Sequence, residues 1–189
     1  WVISELKKVN PDCEYEIKPI TTKGDTDTRP LFTIDQKGIF EKEIDKAVAD
    51  KEIDFAVHSL KDVPSQLAEN LIIASIPKRE KVNDVFISSD NSSLEKIKPG
   101  SIIGTSSLRR AVQISRQRSD VTVKPIRGNI ETRINKTSGE KYDAIVLAQA
   151  GISRLGVDVN FTPLSVDDFS PSPGQGAIAI VARIDDDKT

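Results

Sequence analysis

The sequence predicts an α/β protein whose sheets are largely parallel and covered on both faces. Two patterns predict it. Short runs rich in β-branched residues, either apolar throughout or alternating, recur along the chain, and segments with helical spacing of apolar residues separate them. The composition agrees: 189 residues that are 37% hydrophobic and 30% charged make an ordinary globular balance for one large or two small domains.

Tyr15–Ile20 is the first predicted strand. Phe40, Ile44, Ala47 and Val48 then fall at i, i+4, i+7 and i+8, one apolar stripe on a helix of about three turns. Strands Ile53–Ser59, Leu71–Ile76, Val85–Ser88 and Ser101–Gly104 follow. Leu108, Ala111, Val112 and Ser115 form a second helical stripe. Beyond strand Val121–Ile126, Ile130 and Ile134 with Arg133 give a shorter helix, and Ala144–Ala148 and Ala177–Ala182 are the last strands.

Two breaks organise the chain. Pro77-Lys78-Arg79-Glu80-Lys81 is polar and follows a strand, and Ser170-Pro171-Ser172-Pro173-Gly174-Gln175-Gly176 precedes one. A chain that leaves one lobe at the first break and returns at the second has a discontinuous lobe, residues 1–77 plus 174–189. Residues 83–170 are then an inserted lobe, and 78–82 and 171–173 are the crossings. The last segment is too short to fold alone, which disfavours two domains in series. Two crossings imply a cleft, where ligands usually bind.

Several classes drop out. No apolar run approaches the roughly 20 residues that span a bilayer, and Lys7 and Lys8 interrupt the start, so it does not read as a secretory signal. One cysteine excludes an internal disulfide framework and a cysteine-rich zinc site, no metal is expected, and a reducing, cytoplasmic compartment fits. Asp12 and Glu14 beside Cys13 disfavour a reactive thiolate.

The net charge of −2 conceals an asymmetry. Thr105 to Arg154 holds ten Lys and Arg against four Asp and Glu, a local balance of +6, and seven of the ten arginines lie there. Guanidinium groups pair carboxylates and phosphates through two parallel hydrogen bonds, so an anionic partner is expected. A solvated basic face is the plainer reading. Nucleic acid is disfavoured because Tyr142 is the only aromatic residue in the stretch, which leaves little for bases to stack on.

In Gly104-Thr105-Ser106-Ser107-Leu108-Arg109-Arg110 a strand meets a helix start through three hydroxyl residues. The turn presents unpaired N–H groups, yet two arginines in the first turn oppose the helix dipole, at about 0.3–1 kcal/mol each. A local rule broken in this way marks a functional site, here for an anion, although simple capping explains the hydroxyls equally well. Arg127-Gly128-Asn129 repeats the device, with Arg133 one turn on. In a parallel sheet both turns face the carboxyl-end rim. Neither matches a nucleotide-binding loop.

Phe55-Ala56-Val57-His58-Ser59-Leu60-Lys61-Asp62-Val63-Pro64 is a strand running into a Lys-Asp pair. Its carboxylate could stabilise a cation or carry a proton, and an exposed ion pair in a surface turn is the bland alternative. His58 reads as a hydrogen-bonded core residue, and no nucleophilic triad is apparent. Arg154, between Gly151 and Gly156, follows the Ala144–Ala148 strand, and Lys37 lies just after a long polar loop, Thr21–Gln36.

Taken in order, Val57-His58-Ser59-Leu60-Lys61-Asp62-Val63-Pro64, Gly104-Thr105-Ser106-Ser107-Leu108-Arg109-Arg110, Arg127-Gly128-Asn129, Arg154-Leu155-Gly156 and Pro173-Gly174-Gln175-Gly176-Ala177 closely resemble the hydroxymethylbilane synthase (porphobilinogen deaminase) family, over residues 1 to about 185. The resemblance implies a two-lobed fold like that of periplasmic binding proteins, with two mixed, mostly parallel sheets flanked by helices. It also implies a transferase of heme and tetrapyrrole biosynthesis that joins four porphobilinogen units head to tail with loss of ammonia, primed by a dipyrromethane cofactor. Asp62 would be the catalytic carboxylate, hydrogen-bonding pyrrole nitrogens and stabilising a cationic methylene-pyrrolenine, with Lys61 beside it. Arg109, Arg110, Arg127, Arg133 and Arg154 would pair the acetates and propionates of substrate and cofactor. Ser59, Thr105, Ser106, Ser107, Gly128, Gln175 and Lys37 complete the implied binding set.

The family also has a first strand with a further arginine and serine, and a third domain with the cysteine that carries the cofactor. Cys13 matches that cysteine in neither position nor context, so this chain is expected to be a partial enzyme, inactive alone, with a lobe-one sheet lacking one strand. A monomer, without nucleic-acid or membrane partners, is expected. The alternative class is a non-enzymatic, two-lobed protein that binds a small anion. Asp62 disfavours it, because such a binder gains nothing from a carboxylate in its cleft.

Overall fold

The computed structural model describes residues 1–26, 41–139 and 141–186. In chain order the elements are α1 (Val2–Val9), α2 (Lys23–Thr26), α3 (Lys42–Ala49), β1 (Phe55–Ser59), β2 (Leu71–Ser75), β3 (Asp84–Ser88), β4 (Ile102–Gly104) and α4 (Leu108–Gln117). They continue as β5 (Thr122–Lys124), α5 (Ile130–Asn135), β6 (Ala144–Ala148), α6 (Gln149–Leu155), β7 (Thr162–Pro163) and β8 (Ile178–Arg183). The chain divides into two compact units. Among the described residues, 1–26, 41–78 and 177–186 form the first and Arg79–Gly176 the second.

The first unit is a three-stranded sheet in the order β1-β8-β2, with β8 antiparallel to both neighbours. Glu43 and Asp45 in the first turn of α3 and Lys46 in its last suit the helix dipole. The same helix buries Ala47 and Val48. Val48 packs with Ala56, Leu71 and Val181, which forms the core of this unit. Arg183, buried at the end of β8, donates to the carbonyls of Val48 and Ile53 and so ties the strand to the end of α3.

The predicted strand Tyr15–Ile20 joins no sheet among the described residues. It lines a groove of about 490 Å³ together with Ile3, Ile44, Ile53 and Val57. An alternating sequence supplies a strand's faces but not the neighbour that a ladder needs.

The second unit is a five-stranded sheet ordered β5-β4-β6-β3-β7. Strand alternation sends Phe86, Ala144 and Val146 to one face, where they pack with Ile103, Ile114 and Phe169. Val85, Ile87, Ile145 and Leu147 go to the other face, under Ile126 and Ile152, with Ile130 and Ile134 packed against them. Both faces are therefore covered, and β3 is buried at every residue.

Two expectations need correction. Among the described residues only β4 pairs in parallel, with β5 and β6, whereas β3–β6, β3–β7, β1–β8 and β2–β8 are antiparallel. The sheets are thus not mostly parallel. Continuous apolar strands report burial on two faces and carry no information on direction. The predicted stripe of α4 is also on the wrong side, since Leu108 and Val112 are exposed while Arg110 and Ile114 are buried. The helix turns its arginine inward because a buried partner awaits it. Phe40 lies outside the described residues.

Candidate anion-binding site

Ser107 caps α4, its Oγ accepting the Arg110 N–H at 3.4 Å. The Oγ of Ser106 donates to Ile126 O at 2.6 Å and accepts from Ile126 N–H at 3.1 Å, joining this turn to the one after β5. Thr105 is buried, its amide bonded to Lys124 O. Sequence reasoning turned these hydroxyls toward an anion; Ser106 has its one O–H engaged by the protein.

The second turn is built alike. Asn129 caps α5 by accepting from Thr132 N–H at 2.8 Å. Gly128 sits at φ +116°, where a Cβ would lie 2.7 Å from Thr132 Cγ2, so glycine alone fits. Its carbonyl accepts from Arg133 Nε at 2.6 Å, and the Arg127 carbonyl from Lys136 Nζ at 2.7 Å.

Sequence reasoning missed the centre of this network. Asp84, fully buried at the start of β3, accepts from Arg109 Nη2 at 2.7 Å, Arg110 Nη2 at 2.7 Å, Arg110 Nε at 3.1 Å and Gln175 Nε2 at 2.9 Å. Arg110 Nη1 donates to Val146 O at 3.1 Å, and Arg109 Nη1 to Ser170 O. The available signal was an acid placed directly before an entirely apolar strand, Asp84 ahead of Val85-Phe86-Ile87.

The positive charges also gather. Burial first, and then the nearby Arg110 and Arg127 guanidiniums, push the Arg133 pKa below its ordinary value. An arginine keeps its charge at neutral pH, so three like charges crowd a partly dry rim. Such crowding is relieved by a bound anion. Arg154 stands nearer the second crossing, where its Nη2 donates to Gly176 O at 2.7 Å.

That segment is clasped. Gln175, 1% exposed, donates to Val82 O at 2.7 Å, while Gln175 O accepts from Arg79 Nε at 2.9 Å and Gly176 O from Glu80 N at 2.9 Å. Gly176 has φ +86°, and a Cβ there would meet Glu80 O at 2.6 Å. Gly176→Ala is therefore expected to cost about 2 kcal/mol or more, from the left-handed backbone and the clash. Urea unfolding of the complete protein measures it, and a loss under 0.5 kcal/mol would refute the clasp.

In the first unit β1 ends at Ser59, and a single 3-10 turn, Leu60–Asp62, follows. Leu60 N–H donates to Ala177 O at 3.0 Å, which anchors the turn to the start of β8. Ser59, Lys61 and Asp62 are exposed there. His58 is buried with Nε2 3.0 Å from Asp45 Oδ1, as expected of a satisfied core histidine. Lys37 lies outside the described residues. Among the described residues no cluster of His, Cys, Asp or Glu could hold a metal ion, and no helix is long and apolar enough to cross a membrane.

The fold is shared with a known class. The probable amino-acid ABC transporter extracellular-binding protein ytmK of Bacillus subtilis superposes with a TM-score of 0.52 over 98% of this chain and 73% of that one, at 9% identity. The architecture is thus the two-lobed α/β fold of periplasmic binding proteins, here with an arginine rim on the second unit.

Sequence comparison is more specific. Residues 1–189 match the family described as porphobilinogen deaminase, dipyromethane cofactor binding domain. A probable porphobilinogen deaminase of Nitrosopumilus maritimus is 81% identical over all of this chain and 60% of its own length. Porphobilinogen deaminases of Listeria monocytogenes and Bacillus velezensis are 49% and 50% identical, over 98% and 100% of this chain and 62% and 61% of theirs. The chain belongs to the porphobilinogen deaminase family and spans about three-fifths of the length of these relatives.

Proposed function

We propose that the complete protein is a hydroxymethylbilane synthase, a transferase that joins four porphobilinogen units head to tail and releases ammonia at each addition. The observation that carries this reading is the pairing of Arg109 and Arg110 on one buried carboxylate, Asp84, in a turn that Ser106 joins to the turn of Arg127 and Arg133. Each porphobilinogen brings an acetate and a propionate, so a growing chain needs cations in number, and the guanidinium is suited to carboxylates.

The donor set fits a dipyrromethane as well. Arg109, Arg110, Arg127, Arg133 and Arg154 are the residues that would hold its carboxylates, with Thr105, Ser106, Ser107 and Gly128 fixing the turns that carry them. When bound, the group supplies the pyrrole carbon to which units are added. Asp62 is the catalytic carboxylate of this reading. Its oxygens accept a pyrrole N–H and oppose the positive charge that develops as the aminomethyl C–N bond breaks. Lys61 contributes a neighbouring donor, and Ser59 and Lys37 complete the set. Gln175 acts from beneath the rim.

The reading includes a cytoplasmic location, on the ground of a single, exposed cysteine, and action as a monomer. It is tested with the complete protein and porphobilinogen, where ammonia should appear as porphobilinogen is consumed; no consumption would overturn it. Arg127→Ala is expected to raise the KM for porphobilinogen about tenfold to a hundredfold, the worth of a charge-assisted hydrogen bond. Initial rates measure this, and an unchanged KM would remove Arg127 from the site.

A further inference from the structure

We propose that Asp84 is a positioning residue for carboxylate recognition, holding Arg109 and Arg110 in the orientations from which their remaining N–H donors meet the carboxylates of the substrate. The inference rests on the reading of the rim given above. A guanidinium has five N–H donors; the named bonds use two of Arg109 and three of Arg110.

The division of labour on Asp84 is specific. Oδ2 takes Arg109, and Oδ1 takes the Nε and Nη2 of Arg110, so each oxygen fixes one guanidinium. Gln175 Nε2, at 2.9 Å, sets the carboxylate in turn and is itself held by Val82 O. One carboxylate against two guanidiniums leaves a net positive charge, aligned but not neutralised. A buried group of this kind is weak evidence for stability, because apolar groups of the same volume often stabilise a buried site as well. Without the carboxylate the two arginines and Arg133 would repel one another and spread over several rotamers.

The test uses the complete protein with its prosthetic group. Asp84→Asn removes the charge at constant shape. Combining it with Gln175→Glu restores a carboxylate one side chain away, with no described bond from that side chain to either guanidinium. Asp84→Asn is expected to raise the KM for porphobilinogen about 10–100-fold with kcat within about threefold, and to weaken citrate binding in calorimetry about tenfold. The combined variant should recover the thermal midpoint but neither KM nor citrate affinity. Recovery of all three would overturn the proposal, since charge balance would then suffice; so would wild-type citrate affinity in Asp84→Asn. Should Asp84→Asn not fold, the combined variant carries the test. If the wild-type protein consumes no porphobilinogen while the citrate results hold, the reaction is wrong and the role of Asp84 stands.

Discussion

In the complete protein, Asp62→Asn is expected to lower kcat by about 10²–10⁴-fold, the usual contribution of a positioned acid or base, with the thermal midpoint unchanged. The side chain is exposed on a 3-10 turn whose main chain is held by the Leu60–Ala177 hydrogen bond, and an amide keeps its shape there. An amide is isosteric but neither opposes a developing cation nor carries a proton at pH 7. KM for porphobilinogen should move little, because the proposed function assigns the carboxylates to the arginines. Steady-state kinetics with a thermal scan decides the matter. A turnover within threefold of wild type would exclude Asp62 from the chemistry.

Arg110→Ala should be the most destabilising single change at the rim. It leaves Asp84, fully buried, with only Arg109 and Gln175, and it strands the Val146 carbonyl. Breaking a buried ion pair from one side costs about 3–5 kcal/mol, and the surviving partners place this case near 3. For a chain of this size that lowers the thermal midpoint by about 6–12 °C. Arg109→Ala should cost less, since its side chain is 26% exposed and solvent screens its pair. Urea unfolding of the two variants gives the ranking, and the reverse order would show that the network is not centred on Arg110.

Much of this was legible in the sequence. The positions of β3, β4, β5 and β6 follow from apolar or alternating runs, whereas the two-residue β7 is too short to carry a pattern, and the first arginine-bearing turn was recognisable because Arg109 and Arg110 contradict the helix dipole. What the dipole argument does not supply is the acid that both arginines meet, Asp84. Their partner lies 25 and 26 residues earlier in the chain, and no periodicity links a helix start to an acid on a distant strand. The same gap misdirected α4: a stripe counted from Leu108 assumes that apolar side chains choose the buried face, whereas Asp84 draws Arg110 there instead. Strand direction was illegible for a simpler reason. Val, Ile and Leu are buried equally well in either orientation, and only the route of the chain decides.

The placement of β8 between β1 and β2 has a consequence for biosynthesis. About a hundred residues separate the end of β2 at Ser75 from the start of β8 at Ile178. At about 5–20 residues per second of ribosomal elongation, the two outer strands wait roughly 5–20 seconds for the one that joins them. The described residues of the second unit, Arg79–Gly176, emerge in that interval. The nascent chain should therefore present Ala56 and Leu71 to chaperones until Val181, against which they pack, has left the exit tunnel.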